Sequence, residues 1–85
     1  MRFRFSRHAR EQMAERRIPV DLVGDVLTRP EQTVPECGGR KVYQSRVRLG
    51  NRPTLLRVIV DERADPAVVV TVYQTSRITK YWREP

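Results

Sequence analysis

The hydrophobic period of this chain changes once, at Pro30, from helical spacing to alternation, and that single change limits the folds open to it. Ahead of Pro30, Leu22, Val23, Val26 and Leu27 form an i, i+1, i+4, i+5 stripe, which predicts a helix over Val20–Thr28 opening just after Pro19. Upstream, the Ser6 hydroxyl can accept from a first-turn amide, and Arg7 to Arg16 contains neither Gly nor Pro, so a first helix is expected there. Its apolar stripe is only Ala9 and Met13, while His8, Glu11, Gln12 and Glu15 share another face, so it should lie at the surface. Beyond Pro30 come four strand-like runs: Gln32–Glu36, Lys41–Leu49, Leu55–Val60 and Val68–Gln74. Gly38-Gly39, Gly50-Asn51-Arg52-Pro53 and the stretch from Glu62 to Pro66 separate them, all turn chemistry that favours an antiparallel meander. The expected architecture is α+β, in the order α-α-β-β-β-β, with two N-terminal helices packed on one face of a four-stranded antiparallel sheet. Arg77 to Glu84 is polar and aromatic and has no period that assigns it a structure.

With 85 residues there is material for one lean core, so residues 1–85 are expected to form one domain, and large cofactor folds are excluded. One Cys and one His cannot assemble a zinc site, so no metal or cofactor is expected. The lone Cys37 points to a reducing, cytoplasmic setting. Residues 1–6 lack the apolar stretch of a signal peptide, and about 18 apolar residues never run together, so no membrane is expected as a partner.

The net charge of +7 favours polyanionic partners, and its placement says more than its total. Residues 1–36 carry a net +1 and residues 37–85 a net +6. From Cys37 to Val60 six cations, Arg40, Lys41, Arg46, Arg48, Arg52 and Arg57, occur without one carboxylate between them. Alternation divides the strands into two faces. One set, Tyr43, Val47 and Leu49, then Leu56, Val58 and Val60, then Val68, Val70 and Val72, is apolar and expected beneath the second helix. The other gathers Arg46, Arg48, Arg57, Thr71 and Tyr73 on a face expected to be free. A solvated sheet face ordinarily mixes both charge signs; guanidinium groups beside a Tyr ring form the combination used for single-stranded nucleic acid.

The same groups could perform chemistry. Metal-independent RNA cleavage needs a base for the ribose 2′-hydroxyl, a cation for the phosphate and an acid for the 5′-oxygen. His8 has the one side chain with an intrinsic pKa near neutrality, Arg46 and Arg57 can hold phosphate, and Tyr73, Tyr81 or Lys80 could move protons. His8 also reads as a simple capping or packing residue.

Ser6-Arg7-His8-Ala9, Met13, Arg16 or Arg17 with Ile18-Pro19, the Val-Leu helix ending at Pro30, and finally Val70-Thr71-Val72-Tyr73 with Lys80-Tyr81-Trp82-Arg83 resemble the small bacterial domain-of-unknown-function family numbered 4258. That family is similar in expected fold to RelE/ParE toxins and to barnase-like, colicin-like and EndoU-like ribonucleases. The resemblance implies a single ribonuclease-fold domain and a metal-independent endoribonuclease, the toxin of a toxin-antitoxin pair, acting on mRNA or tRNA by 2′-hydroxyl attack. It further implies an acidic antitoxin as protein partner and the ribosome as a possible site of action. Carried onto this chain, it points to His8 and Arg16 or Arg17 from the helical motif, and to Thr71, Tyr73 and Lys80 from the C-terminal one. Together with the face division, the expected catalytic set is His8, Arg46, Thr71 and Tyr73, and the RNA-binding set is Arg16, Arg17, Arg48, Arg57, Lys80 and Tyr81. The alternatives are a non-catalytic nucleic-acid-binding module, a ParE-like inhibitor of another enzyme, and a cationic domain that docks an acidic protein.

Overall fold

In the computed structural model, which describes residues 2–84, a five-stranded mixed sheet and three helices replace the expected four antiparallel strands and two helices. The elements are β1 (Phe3–Phe5), α1 (Arg7–Glu15), α2 (Val20–Thr28), β2 (Gln32–Glu36), β3 (Arg40–Leu49), β4 (Arg52–Asp61), β5 (Ala67–Thr75) and α3 (Ile78–Tyr81). The sheet order is β1-β5-β4-β3-β2. β2 to β5 form the expected antiparallel meander, and β1 adds a parallel pair at the β5 edge, Phe3 opposite Ala67 and Phe5 opposite Val69.

β1 corrects the four-stranded expectation for a physical reason. Phe3 and Phe5, two positions apart in an extended segment, place both rings against the core while Arg4 faces out. Three residues hold too little alternation to declare a strand, and what stabilises this one is β5 and the core beneath it. α3 is one helical turn, stabilised from outside itself, because an isolated turn of this length does not persist in water.

Local chemistry sets the other boundaries. Ser6 caps α1, its Oγ accepting from Ala9 N at 3.0 Å, and the same hydroxyl donates to Val70 O at 3.2 Å, so the cap also ties the helix to β5. Where β1 ends, Gln12 of α1 continues the edge: its Oε1 accepts from Val72 N at 2.9 Å. β3 and β4 are joined through Gly50-Asn51 alone, with Leu49 opposite Arg52; Gly50 sits at φ 62°, where a Cβ would be strained. Arg52 and Pro53 therefore belong to β4 rather than to the turn. Pro53 precedes Leu55, where β4 acquires β5 as its second neighbour.

The main core lies between the sheet and α1 with α2. Ala9, Met13 and Ile18 meet Val23, Val26 and Leu27 there, over Tyr43, Leu56, Val58, Val60, Ala67, Val69 and Val72. β3 and β4 place the residues that alternation assigns to this side, but β5 does not. Its register slips between Ile59 and Val60: Ile59 opposes Thr71 whereas Val60 opposes Val69, leaving Val70 as an extra residue. Such a bulge reverses the phase of alternation, so Ala67 and Val69 fill the core positions expected of Val68 and Val70. Val72, Thr71 and Tyr73 keep their expected sides.

Candidate functional site

The sheet face opposite α1 and α2 is not free. Residues 77–84 fold back across it, and the contacts that hold them there also assemble the candidate site. Register puts four polar side chains in one row across the strands: Gln32 opposite Gln44, Gln44 opposite Arg57, and Arg57 opposite Tyr73. They form a continuous hydrogen-bonded ladder. Gln44 Nε2 donates to Gln32 Oε1 at 2.8 Å, Arg57 Nε donates to Gln44 Oε1 at 2.9 Å, and Arg57 Nη1 donates to Tyr73 Oη. Val34, Val42 and Leu55, all buried, flank this row on the same face.

Arg57 is the unusual member. It is only 8% exposed, yet among the described residues no carboxylate pairs with it. Its charge is met by the Gln44 oxygen, the Tyr73 oxygen and two rings: the guanidinium carbon lies 4.2 Å from the Tyr81 centroid and 5.6 Å from that of Tyr73. Taking a cation out of water without a counter-ion is expensive, and stability alone gives little reason to keep one.

The two tyrosines, packed edge to face with centroids 6.4 Å apart, are pushed in opposite directions. Burial raises the Tyr73 phenol above its usual value, against the opposing pull of Arg57. The neighbouring Lys80 ammonium is the main influence on Tyr81 and lowers its phenol below the usual value. Lys80 Nζ lies 5.2 Å from the Tyr81 ring. Two titratable groups whose surroundings separate their pKa values form an acid/base pair in kind.

Arg46, one row away, differs from Arg57. Glu31 clamps it, Nη2 to Oε2 at 3.0 Å and Nε to Oε1 at 3.2 Å, and also accepts from its backbone N–H at 2.7 Å. Its guanidinium lies 4.1 Å from the Trp82 centroid. The run of cations without carboxylates is therefore neutralised in part from outside the run: Glu31 takes Arg46, and Glu62 takes Lys41 at 3.1 Å on the helix side. Arg48 is exposed on the ladder face with no ion pair among the described residues.

The structure brings together Arg46, Arg48, Arg57, Thr71, Tyr73, Lys80 and Tyr81 on this face and the segment across it. His8, Arg16 and Arg17 are elsewhere. His8 is exposed on α1 with no hydrogen bond or ion pair among the described residues, and Arg16 and Arg17 close the C-terminal end of that helix. The cleft beneath α2, about 530 Å³ and lined by Leu22, Asp25, Arg29, Ser45 and others, opens on the helix side and shares no residue with the ladder.

Residues 5–74 match the domain of unknown function DUF4258, a span covering most of the chain. The chain belongs to this family. No curated protein and no solved structure matches it. The DUF4258 span holds α1, α2 and β2 to β4 with nearly all of β5, and with them Gln32, Gln44, Arg57 and Tyr73; Lys80 to Arg83 lie beyond it. Within the N-terminal motif, Ser6 caps, Ala9, Met13 and Ile18 fill the core, and His8, the arginines and Pro19 stay at the surface.

Sequence reasoning missed Gln32, Gln44, Glu31 and Trp82 as members of this site. One sign of the glutamines was present: in a hairpin turning at Gly38, residues equidistant from it pair, and Gln32 and Gln44 are each six residues away. No comparable sign existed for Glu31 or Trp82, whose contacts with Arg46 span 15 and 36 residues of chain.

Proposed function

We propose that this protein is a metal-independent endoribonuclease that binds the scissile phosphate of single-stranded RNA at Arg57 and moves protons through Tyr81 and Tyr73. The observation that carries the reading is a buried guanidinium with no carboxylate partner among the described residues, set between two phenols of opposite pKa displacement. Tyr81, acting in its phenolate form, which Lys80 favours, takes the proton of the 2′-hydroxyl and becomes the neutral phenol as the 2′-oxygen attacks phosphorus. Arg57 balances the charge that grows on the non-bridging oxygens. Tyr73, kept protonated by burial, gives its proton to the departing 5′-oxygen, and a 2′,3′-cyclic phosphate remains. Arg57 Nη1 donates to Tyr73 Oη, which leaves the Tyr73 proton free to be given away. His8, on another element and without a side-chain partner among the described residues, has no role in this scheme.

Total RNA incubated with the protein in EDTA from pH 6 to 8, with and without ribosomes, tests the reading; intact RNA throughout would sink it. Tyr73→Phe and Arg57→Gln should each slow cleavage roughly 100-fold or more, and His8→Ala should leave it unchanged. If the activity serves as a toxin, induced expression halts growth, and a co-expressed acidic protein that covers the basic surface relieves the arrest.

One observation favours a second reading, a nucleic-acid-binding module without turnover: Arg57 Nε and Nη1 are already engaged within the fold. That reading expects binding that weakens steeply with salt and yields no product.

A further inference from the structure

We infer that Gln44 and Gln32 are positioning residues, which set the Arg57 guanidinium and the segment carrying Lys80 and Tyr81 in one fixed geometry; the inference rests on the nuclease reading of that site. Gln44 is fully buried, and both ends of its amide are engaged. Its Oε1 accepts from Arg57 Nε, while its Nε2 donates to Gln32 Oε1 at 2.8 Å and to Tyr81 O at 3.2 Å. Gln32 then clamps the next stretch of backbone at two points: its Nε2 donates to Arg83 O at 2.5 Å, and its Oε1 accepts from Arg83 N at 3.1 Å.

An apolar side chain beside Val42 and Leu55 would fill the space of Gln44 without burying an amide, so packing does not call for glutamine there. What an amide adds is opposite polarity at its two ends. The oxygen holds the guanidinium and the nitrogen holds the main chain at Tyr81, so a displacement of either is felt by the other. α3 is too short to keep Lys80 and Tyr81 in place by itself. The two glutamines supply the missing restraint, and Tyr81 is thereby held over Arg57.

Two substitutions in the full chain separate this role from simple packing. Gln32→Leu, at a half-buried edge position, removes the clamp on Arg83 and leaves the Arg57–Gln44 bond intact. Gln44→Glu keeps an acceptor for Arg57 and removes both donors, turning a carboxylate towards Tyr81 O. Trp82, the one tryptophan of the chain, lies between the two clamped carbonyls at Tyr81 and Arg83 and reports on the segment directly. In both variants its emission should move to longer wavelength, while circular dichroism of Gln32→Leu stays that of the wild type. On a short single-stranded oligoribonucleotide, Gln32→Leu should lower kcat about tenfold or more and raise KM less than about threefold. Emission unmoved in both variants overturns the inference, and so does moved emission with kcat unchanged. If the wild type leaves RNA intact, the nuclease reading fails by that result alone. The glutamine assignment is then decided by affinity for the same oligonucleotide: weaker binding by Gln32→Leu sustains it, and equal binding despite shifted emission overturns it.

Discussion

Replacing Arg57 by Met should abolish RNA cleavage while leaving the fold almost as stable as before. The magnitude follows from the environment of the side chain. Folding buries a guanidinium to 8% exposure with no carboxylate beside it among the described residues, a desolvation of several kcal/mol in real proteins. Against this stand two charge-assisted hydrogen bonds, to Gln44 and Tyr73, worth roughly 1.5–3 kcal/mol each, and the cation–π contact with Tyr81, worth roughly 1–2. These sums are comparable, so their removal together nearly cancels. Met keeps the apolar stem, and what remains is the Gln44 Oε1 left without its donor, about 1–3 kcal/mol; Tyr73, half-buried, can turn to water. The net loss should thus stay below about 3 kcal/mol, and Arg57→Met with Gln44→Leu should recover only part of it, because the unmet acceptor is removed while Gln32 Oε1 and Tyr81 O lose the Gln44 donor. Urea denaturation followed by circular dichroism measures the stability, and RNA cleavage in EDTA measures the function, with a loss of roughly 100-fold or more expected. A stability loss above about 4 kcal/mol in Arg57→Met would show that Arg57 is kept for the fold and remove the main support for a phosphate site.

Two further predictions concern pH. Tyr43, buried on the helix side and donating to Glu62, has its phenol pushed up to about 12, chiefly by burial. A folded-state value above the unfolded one stabilises fully below pH 10 and is lost as pH rises from 10 through 12, a change of about 3 kcal/mol. Thermal melts across that range should fall steeply in the wild type and less in Tyr43→Phe; equal slopes would refute the assignment. Glu31 lies on the other side of the sign: hydrogen bonds from Arg46 hold its carboxyl below the usual value, so its contribution is present above that value and is lost as pH falls through the depressed one. Because the Arg46–Glu31 pair is largely exposed, Glu31→Gln should flatten the acid limb of the stability curve only slightly, and about 1 M NaCl should shrink even that difference; an acid limb unaltered by the substitution would show the pair to be idle.

The sequence was most legible where one residue decides one local event. Ser6 as a cap, Pro30 beyond α2 and the Gly38-Gly39 and Gly50-Asn51 turns each act within a few residues, and each stands where its chemistry places it. Alternation assigned Arg46, Arg57 and Tyr73 to one face because β3 and β4 run without interruption through that region. It failed at Val68 and Val70 because a bulge shifts phase by one residue, and three consecutive valines, Val68-Val69-Val70, are apolar in either phase. β1 and the docked segment 77–84 escaped for a different reason: both are stabilised by partners more than 50 residues away in sequence, Ala67–Val69 for β1 and Gln32 for Arg83. No local propensity records such contacts.

The uneven charge of the chain also acquires a different meaning once partners are assigned. Counted along the sequence, the second half presents a block of cations, and each would contribute alike to attraction of a polyanion. In the fold they fall into unlike groups. Arg46 and Lys41 are neutralised by Glu31 and Glu62, Arg48 is exposed to solvent and its field is screened within about 10 Å at ordinary salt, and Arg57 alone among these four is withdrawn from water. At about 4 Å a phosphate charge meets an exposed cation with about 1 kcal/mol, but at the effective dielectric near a protein site the same distance gives about 4. One buried guanidinium thus outweighs several solvated ones in fixing where a phosphate comes to rest, while the solvated ones govern how fast it arrives. The face division by itself left Arg46 and Arg57 with equal standing. It is the difference in their partners, a carboxylate for one and an amide, a phenol and a ring for the other, that singles out Arg57 as the residue around which a reaction could be organised.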